Sequence, residues 1–183
     1  MVLHGLGGND TLVVAEGASY FGDGGDDIFL FENGLDTTSI TILFGGVGTD
    51  TIRVSGADGD VFEILSDASM IEAIDFAADG SNIDKEIIVR GGEFDSQSEF
   101  SLSLIIDGNH ASGSTDIFTI DNTLSGTNLT SLDLSAFTYV NWGGQGDHVR
   151  FIGRDSLDED ITGSNFIDVL LGGGGDDLSL IHI

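Results

Sequence analysis

The stretch Gly45-Gly46-Val47-Gly48-Thr49-Asp50-Thr51-Ile52-Arg53 constrains this chain more than any other feature, because it fixes glycine, aspartate and a large apolar residue within nine positions. Positions one, two and four are glycine, position six is aspartate and position eight is Ile52. The opening of the string returns as Gly172-Gly173-Gly174-Gly175-Asp176-Asp177, and looser copies run GLGGNDTL from Gly5 to Leu12 and GDGGDDIF from Gly22 to Phe29. The loose copies lack the second glycine but keep the fourth glycine, the aspartate and the apolar eighth residue. Glycine tolerates positive φ and lets backbone carbonyls crowd around one point. The aspartate adds a hard anionic oxygen, and clustered carbonyl and carboxylate oxygens are what Ca²⁺ coordinates, at about 2.3–2.6 Å. The remaining three residues make a very short strand with one side chain pointing into a core. One unit cannot bury that side chain, whereas units stacked at about 4.8 Å can.

These strings resemble the nonapeptide of RTX, or hemolysin-type calcium-binding repeat, proteins. The resemblance implies an all-β fold, a right-handed parallel β-roll / β-helix solenoid in which two nonapeptides make one coil. It also implies Ca²⁺ as the cofactor, each ion lying between same-side loops one coil apart. The implied side-chain ligands are Asp10, Asp27, Asp36, Asp50, Glu159, Asp168 and Asp177. The carbonyls of Gly5, Gly7, Gly8, Gly22, Gly24, Gly25, Gly34, Gly45, Gly46, Gly48, Gly163, Gly172, Gly173 and Gly175 complete the shells. RTX relatives leave bacteria through a type I exporter that reads an uncleaved C-terminal signal, and they fold on meeting external calcium. The same export and an extracellular location are therefore expected here.

The spacings fit that arrangement. Asp168 and Asp177 are nine residues apart, and nine before Asp168 lies Glu159, followed by the apolar Ile161. Glu159 and Asp177 are thus a full coil apart and placed to face one ion. Asp10 and Asp27 are 17 residues apart, one short of a coil, with a degenerate copy between them at Gly17, Ser19 and Phe21. Gly34 and Asp36 continue the frame nine residues after Asp27, and the 14-residue step to Asp50 implies an insertion around Thr37–Thr41.

Composition narrows the function. The 183 residues suffice for one sizeable domain. Net charge is −27, from 32 acidic and 5 basic residues. That excludes nucleic acid as a natural partner, since phosphate binding rests on Lys and Arg, and it argues against an anionic membrane surface. So acidic a chain should self-repel without metal and compact when Ca²⁺ neutralises it. Hydrophobic residues make up 40% and fall in strand-sized runs, which favours conditional order over disorder. With no cysteine there is neither a disulfide nor a thiolate metal site. No run approaches the 18 or so apolar residues of a membrane helix, and the opening MVLHGLGGND has no signal-peptide pattern. Glycine spacing of the dinucleotide-binding kind lacks the helix whose N-terminus would receive a pyrophosphate.

Four stretches are expected along the chain. Residues 1–56 read as a calcium repeat block that begins without a cap, so Met1 reads as an internal methionine or the edge of a fragment. Residues 57–142 keep a strand rhythm without the calcium glycines, in the runs Val61–Leu65, Glu86–Val89, Ser101–Ile106, Asp116–Ile120 and Leu132–Phe137. Val61–Ile74 also scores as an amphipathic helix, and strand, loop and a second strand Met70–Phe76 is the preferred reading. The absence of proline leaves every backbone donor free for a ladder. Residues 143–177 read as a second, truncated block. Its opening Gly143-Gly144-Gln145-Gly146-Asp147-His148 is a damaged copy, with His148 in the aspartate's place and Asp147 as a substitute, and a structural turn is favoured there. Residues 178–183 (LSLIHI) break the pattern at Ser179 and match the translation of a common sequencing adapter, so the natural chain is expected to stop in mid-repeat.

No G-x-S-x-G nucleophile elbow and no H-E-x-x-H zinc helix occurs. His4, His110, His148 and His182 stand at no metal-ligand spacing from one another, and His110-Ala111-Ser112 reads as a polar turn. The chain is therefore expected to be a structural calcium module and not itself an enzyme. The alternatives are an accessory part of a secreted RTX lipase, protease or polysaccharide-active enzyme, or a surface adhesin solenoid. Were the glycines mere turns, a plain β-helix, carbohydrate-active in the extreme case, would take their place.

Overall fold

The computed structural model describes residues 1–32, 42–64, 67–76, 83–94, 100–109, 113–124, 128–143 and 146–180. Among them run eighteen strands. The first six are β1 (Val2–His4), β2 (Thr11–Val13), β3 (Ser19–Gly24), β4 (Ile28–Glu32), β5 (Ile42–Val47) and β6 (Thr51–Ser55). The middle holds β7 (Asp60–Ile64), β8 (Asp67–Ser69), β9 (Ile71–Asp75), β10 (Lys85–Arg90), β11 (Phe100–Asp107) and β12 (Asp116–Asp121). The last are β13 (Ser131–Asp133), β14 (Thr138–Val140), β15 (His148–Ile152), β16 (Asp160–Thr162), β17 (Ile167–Leu171) and β18 (Leu178–Leu180). Two short 3₁₀ turns, Gly91–Phe94 and Leu134–Ala136, interrupt them. The fold is all-β.

Every strand pair is parallel. The four sheets run β1-β3-β5-β8, β2-β4-β6-β9-β11-β14, β7-β10-β12-β15-β17 and β13-β16-β18. Each of β1 to β4 pairs not with its neighbour in sequence but with the strand two places on, so the chain passes back and forth between two sheets. The length of each step changes along the chain. Val2 lies opposite Ser19 and Thr11 opposite Ile28, both 17 residues on. The step is 23 residues from Ile28 to Thr51, 31 from Ile117 to His148 and 33 from Ile105 to Thr138. It falls back to 19 from His148 to Ile167 and 18 from Asp160 to Leu178. Long steps need longer turns between strands. Asp27 and Asp50 are 23 residues apart, and Thr37–Thr41, where an insertion is expected, lie outside the described residues.

Alternation of side chains puts one set of residues between the sheets. In β6, Ile52 and Val54 are buried while Thr51, Arg53 and Ser55 are half-exposed. Register then stacks like on like, with Phe29 under Ile52 and Ile74, and Phe62, Ile87, Phe118 and Val149 in one row. Burying a large side chain of this kind is worth about 1.5–3 kcal/mol, and no single unit has partners enough to do it. No helix among the described residues is long and apolar enough to cross a membrane.

Two expectations about the middle need correction. The run Leu132–Phe137 is not one strand. Asp133 ends β13 because its Oδ1 accepts from Ser135 N at 3.0 Å and Ser135 Oγ at 2.6 Å, which caps the 3₁₀ turn. Between the two strands expected in Val61–Phe76, a further strand, β8, pairs with β5. Met70, at φ 53, turns the chain, so β9 begins at Ile71.

Candidate metal centre

The six-residue glycine turns share one backbone shape. The fourth position is always glycine with positive φ: Gly8 at 105°, Gly25 at 123°, Gly48 at 147° and Gly175 at 138°. Gly146 of the damaged copy follows at 121°. The second position is left-handed too, at Gly46 (113°) and Gly173 (87°), and also where the loose copies carry Leu6 (77°) and Asp23 (71°). Successive turns lie directly on one another. Gly8 N donates to Gly24 O and Gly25 N to Val47 O, both at 2.8 Å, and a Cβ on Gly7 would meet Gly24 O at 3.8 Å.

Each turn delivers an inward carboxylate at the residue before its strand. These carboxylates form a ladder. Asp10 N donates to Asp27 Oδ1 at 2.8 Å, Asp27 N to Asp50 Oδ1 at 2.9 Å and Asp50 N to Glu72 Oε2 at 2.8 Å. The residue just before forms a second ladder of opposite sense, with Asp26 N on Asn9 Oδ1 and Thr49 N on Asp26 Oδ1, each at 2.9 Å. Sequence reasoning missed Asn9, Asp26 and Glu72. The paired acids Asp26-Asp27, Asp158-Glu159 and Asp176-Asp177 were the available signal for the outer ladder.

The ladder uses one oxygen of each carboxylate and leaves the other. Asp10 Oδ2, Asp27 Oδ2 and Asp50 Oδ2 are buried without a hydrogen-bond partner, and Asp27 and Asp50 are wholly buried. Each of these oxygens approaches the bare face of the turn's first glycine, as does a carbonyl from the next step. A Cβ on Gly5 would stand 2.8 Å from Gly22 O and 3.1 Å from Asp10 Oδ2. On Gly22 it would collide with Gly45 O and Asp27 Oδ2, and on Gly45 with Met70 O and, at 2.6 Å, Asp50 Oδ2. Buried oxygens without donors are costly unless something positive meets them. Burial pushes the Asp50 carboxyl up to about 6; the Asp27 N–H bond opposes this, while Glu72, Asp27 and Asp26 add to it.

The second block repeats the pattern in part. Glu159 and Asp177 are one step apart, with Glu159 N on Asp177 Oδ1 at 3.1 Å, and Glu159 Oε2 is buried without a partner. Its Oε1 accepts from Asn122 Nδ2 and Arg154 N, both at 2.8 Å. A Cβ on Gly172 would lie 2.5 Å from Asp177 Oδ2. Asp168 differs. It lies opposite Val149, inside β17, and its carboxylate accepts from Ser164 N and Ser164 Oγ, both at 2.8 Å. A Cβ on Gly163 would lie 2.6 Å from Asp168 Oδ2 and 3.1 Å from Leu180 O. In the damaged copy, Asp147 takes the ladder position, and His148 Nδ1 sits 2.7 Å from Gly146 O. Gly34, Asp36, His110, Ala111, Ser112, Gly144, Gln145 and residues 181–183 lie outside the described residues.

Among the described residues, no three His, Cys, Asp or Glu side chains gather closely enough to hold a metal ion between them. Side-chain ligation alone therefore does not build a site. The oxygens that converge are one carboxylate and one carbonyl per turn, a donor set suited to a hard cation such as Ca²⁺ and poor for zinc or copper. No family model, curated protein or solved structure matches this chain.

Proposed function

We propose that this chain is a calcium-binding repeat module of an RTX-like protein secreted by bacteria, folding as a right-handed parallel β-roll / β-helix solenoid. The observation that carries the reading is the row of buried, unpartnered oxygens, Asp10 Oδ2, Asp27 Oδ2 and Asp50 Oδ2, each beside a carbonyl of the following turn. Those carboxylates and glycine-turn carbonyls would hold the ion. The bound cation would neutralise oxygens that otherwise repel across successive steps and would link one turn to the next. Folding then depends on free calcium, with stabilisation of order RT ln(1 + [L]/Kd) per site. An acidic module of this kind stays extended where calcium is scarce and compacts outside the cell, which suits export by a type I system. The larger protein to which such a module would contribute is an enzyme or an adhesin.

Far-UV circular dichroism of the chain, titrated from chelator to about 10 mM Ca²⁺, far above the affinity of sensor-type sites, with Mg²⁺ as control, tests this. A β signal that rises with Ca²⁺ and not with Mg²⁺ is expected. A spectrum already β-rich in chelator and unmoved by calcium would refute the proposal and make the glycines plain turns.

A further inference from the structure

The turn between β11 and β12 contains no glycine-aspartate repeat, yet it brings together the same two kinds of oxygen. We propose that it holds a divalent cation of the calcium type, ligated by Asp116 and the Asn141 carbonyl beside Gly108. A Cβ on Gly108 would stand 2.8 Å from Asn141 O and 3.3 Å from Asp116 Oδ2. The corresponding values at Gly5, in the first repeat turn, are 2.8 and 3.1 Å. The glycine and aspartate are eight residues apart here instead of five, which hides the site from a search for the repeat.

Asp116 is 1% exposed. Its Oδ2 accepts from Asn109 N at 2.6 Å, and its Oδ1 is buried with no partner. One step on, Asp147, also buried, accepts from Asp116 N at 3.0 Å and from Gly143 N at 3.1 Å. Two buried carboxylates thus follow one another as Asp27 and Asp50 do. Lys85 lies one step before Asp116 and donates from Nζ to Phe76 O at 2.7 Å; its charge favours the Asp116 carboxylate, while Asp147 and Asp84 add negative charge nearby. Among the described residues all the converging donors are oxygens, which suits a hard ion. Burial also pushes the Asp116 carboxyl up to about 6; Asp147 and Asp84 add to this, while the Asn109 N–H bond and the Lys85 charge oppose it. Gly143 and Asp147 belong to the damaged copy, but Gly108, Asp116 and Asn141 belong to no nonapeptide, so the site stands or falls separately from the repeat ions.

Trp142, the chain's one tryptophan, reports on this place, because its Cε3 lies 3.3 Å from the Cβ position on Gly108. The full chain and its Asp168→Asn variant are titrated with Tb³⁺, exciting tryptophan alone. Asp168→Asn removes the repeat carboxylate whose charge acts on Tyr139, the ring next to Trp142. Sensitised emission that Ca²⁺ displaces is expected in both, and its loss is expected in Asp168→Asn combined with Asp116→Asn or with Gly108→Ala. Gly108→Ala keeps the carboxylate and fills the cradle, so it carries the test if Asp116→Asn prevents folding by circular dichroism. Emission retained in a folded Asp116→Asn or Gly108→Ala protein, or no emission from the starting chain, overturns the proposal.

Discussion

The turns that open β4 and β6 and the turns in the middle of the chain meet the same problem with opposite means. In both, strands stacked in parallel bring inward polar residues into one column, where water is excluded. Asp27 and Asp50 occupy that column in the repeat block, and each keeps a buried oxygen with no donor. At the equivalent place in β10 the residue is Lys85, whose ammonium, 1% exposed, donates to Phe76 O. Further on, the buried Asn122 amide donates to Leu129 O and Glu159 Oε1, both at 2.8 Å, from between two turns. Around Lys85 and Asn122 the chain supplies positive or donating atoms from its own sequence, whereas the repeat turns, like the turn at Asp116, leave that role open. A stretch that carries its own donors should be stable whatever the calcium, and a stretch that does not should be stable only with it.

The largest effect is expected from Lys85→Met. It deletes the internal cation and leaves Phe76 O and the neighbouring acids without it, a loss of about 2–3 kcal/mol. Urea unfolding should show the same loss in chelator and in calcium. A loss confined to one condition would break the contrast. Asp27→Asn comes next, with an effect that changes sign. In calcium it should cost about 1–2 kcal/mol through a missing ligand. In chelator it should be neutral or stabilising, because it removes a like charge between Asp10 and Asp50. Thermal melts in the two buffers check it, and a cost equal in both would make Asp27 a purely structural residue.

Much of this contrast was legible in the residues, and some was not. The fourth-position glycines and the aspartates two places later announced the repeat turns, because those positions need a backbone shape and a charge that few residues supply. The parallel strands followed from β-branched and aromatic runs without proline. What spacing could not reveal was the middle. Lys85 and Asp116 take up column positions through turns of unequal length, so no fixed period relates Gly108 to Asp116 or Phe76 to Lys85. Asp168 fell on the nine-residue period yet lies opposite Val149, because the 19-residue step from β15 to β17 displaces it along the strand. The outer ladder of Asn9, Asp26 and Thr49 was missed because position five of the repeat carries no fixed residue type.

A pH titration sharpens the comparison at moderate cost in stability. The Asp50 carboxyl, ordinarily near 3.8, is raised to about 6, with burial as the main cause. The folded chain therefore holds the proton more tightly than the unfolded chain does. In chelator this group's contribution is fully present below about pH 3.8 and is lost as pH rises through about 6. Asp116 behaves in the same sense over the same window. Stability in chelator should thus rise on acidification from pH 7 to pH 4. In calcium the order should reverse over that range, since ligation needs the carboxylate. Equilibrium urea curves at several pH values, with and without calcium, read both slopes. Parallel slopes would mean that the repeat carboxylates do not meet the metal.

The smallest effect concerns the loose repeats themselves. Leu6 and Asp23 stand at φ 77 and 71, where the full repeat has glycine. A side chain in the left-handed region costs about 1–2 kcal/mol, against which glycine carries an extra backbone entropy of about 0.5–1 kcal/mol. Leu6→Gly should therefore stabilise the chain by about 0.5 kcal/mol, and Leu6 is exposed, so little packing is lost. Asp23→Gly should gain nothing, because Asp23 Oδ2 accepts from Leu6 N at 3.2 Å and contacts His4 Nδ1 at 2.9 Å. The two variants share a backbone change and differ in a side-chain role. Equal gains in melting temperature would show that the Asp23 contacts contribute nothing. A gain for Leu6→Gly alone would show that the loose copy at Gly22 has replaced glycine's freedom with a bond to the preceding turn.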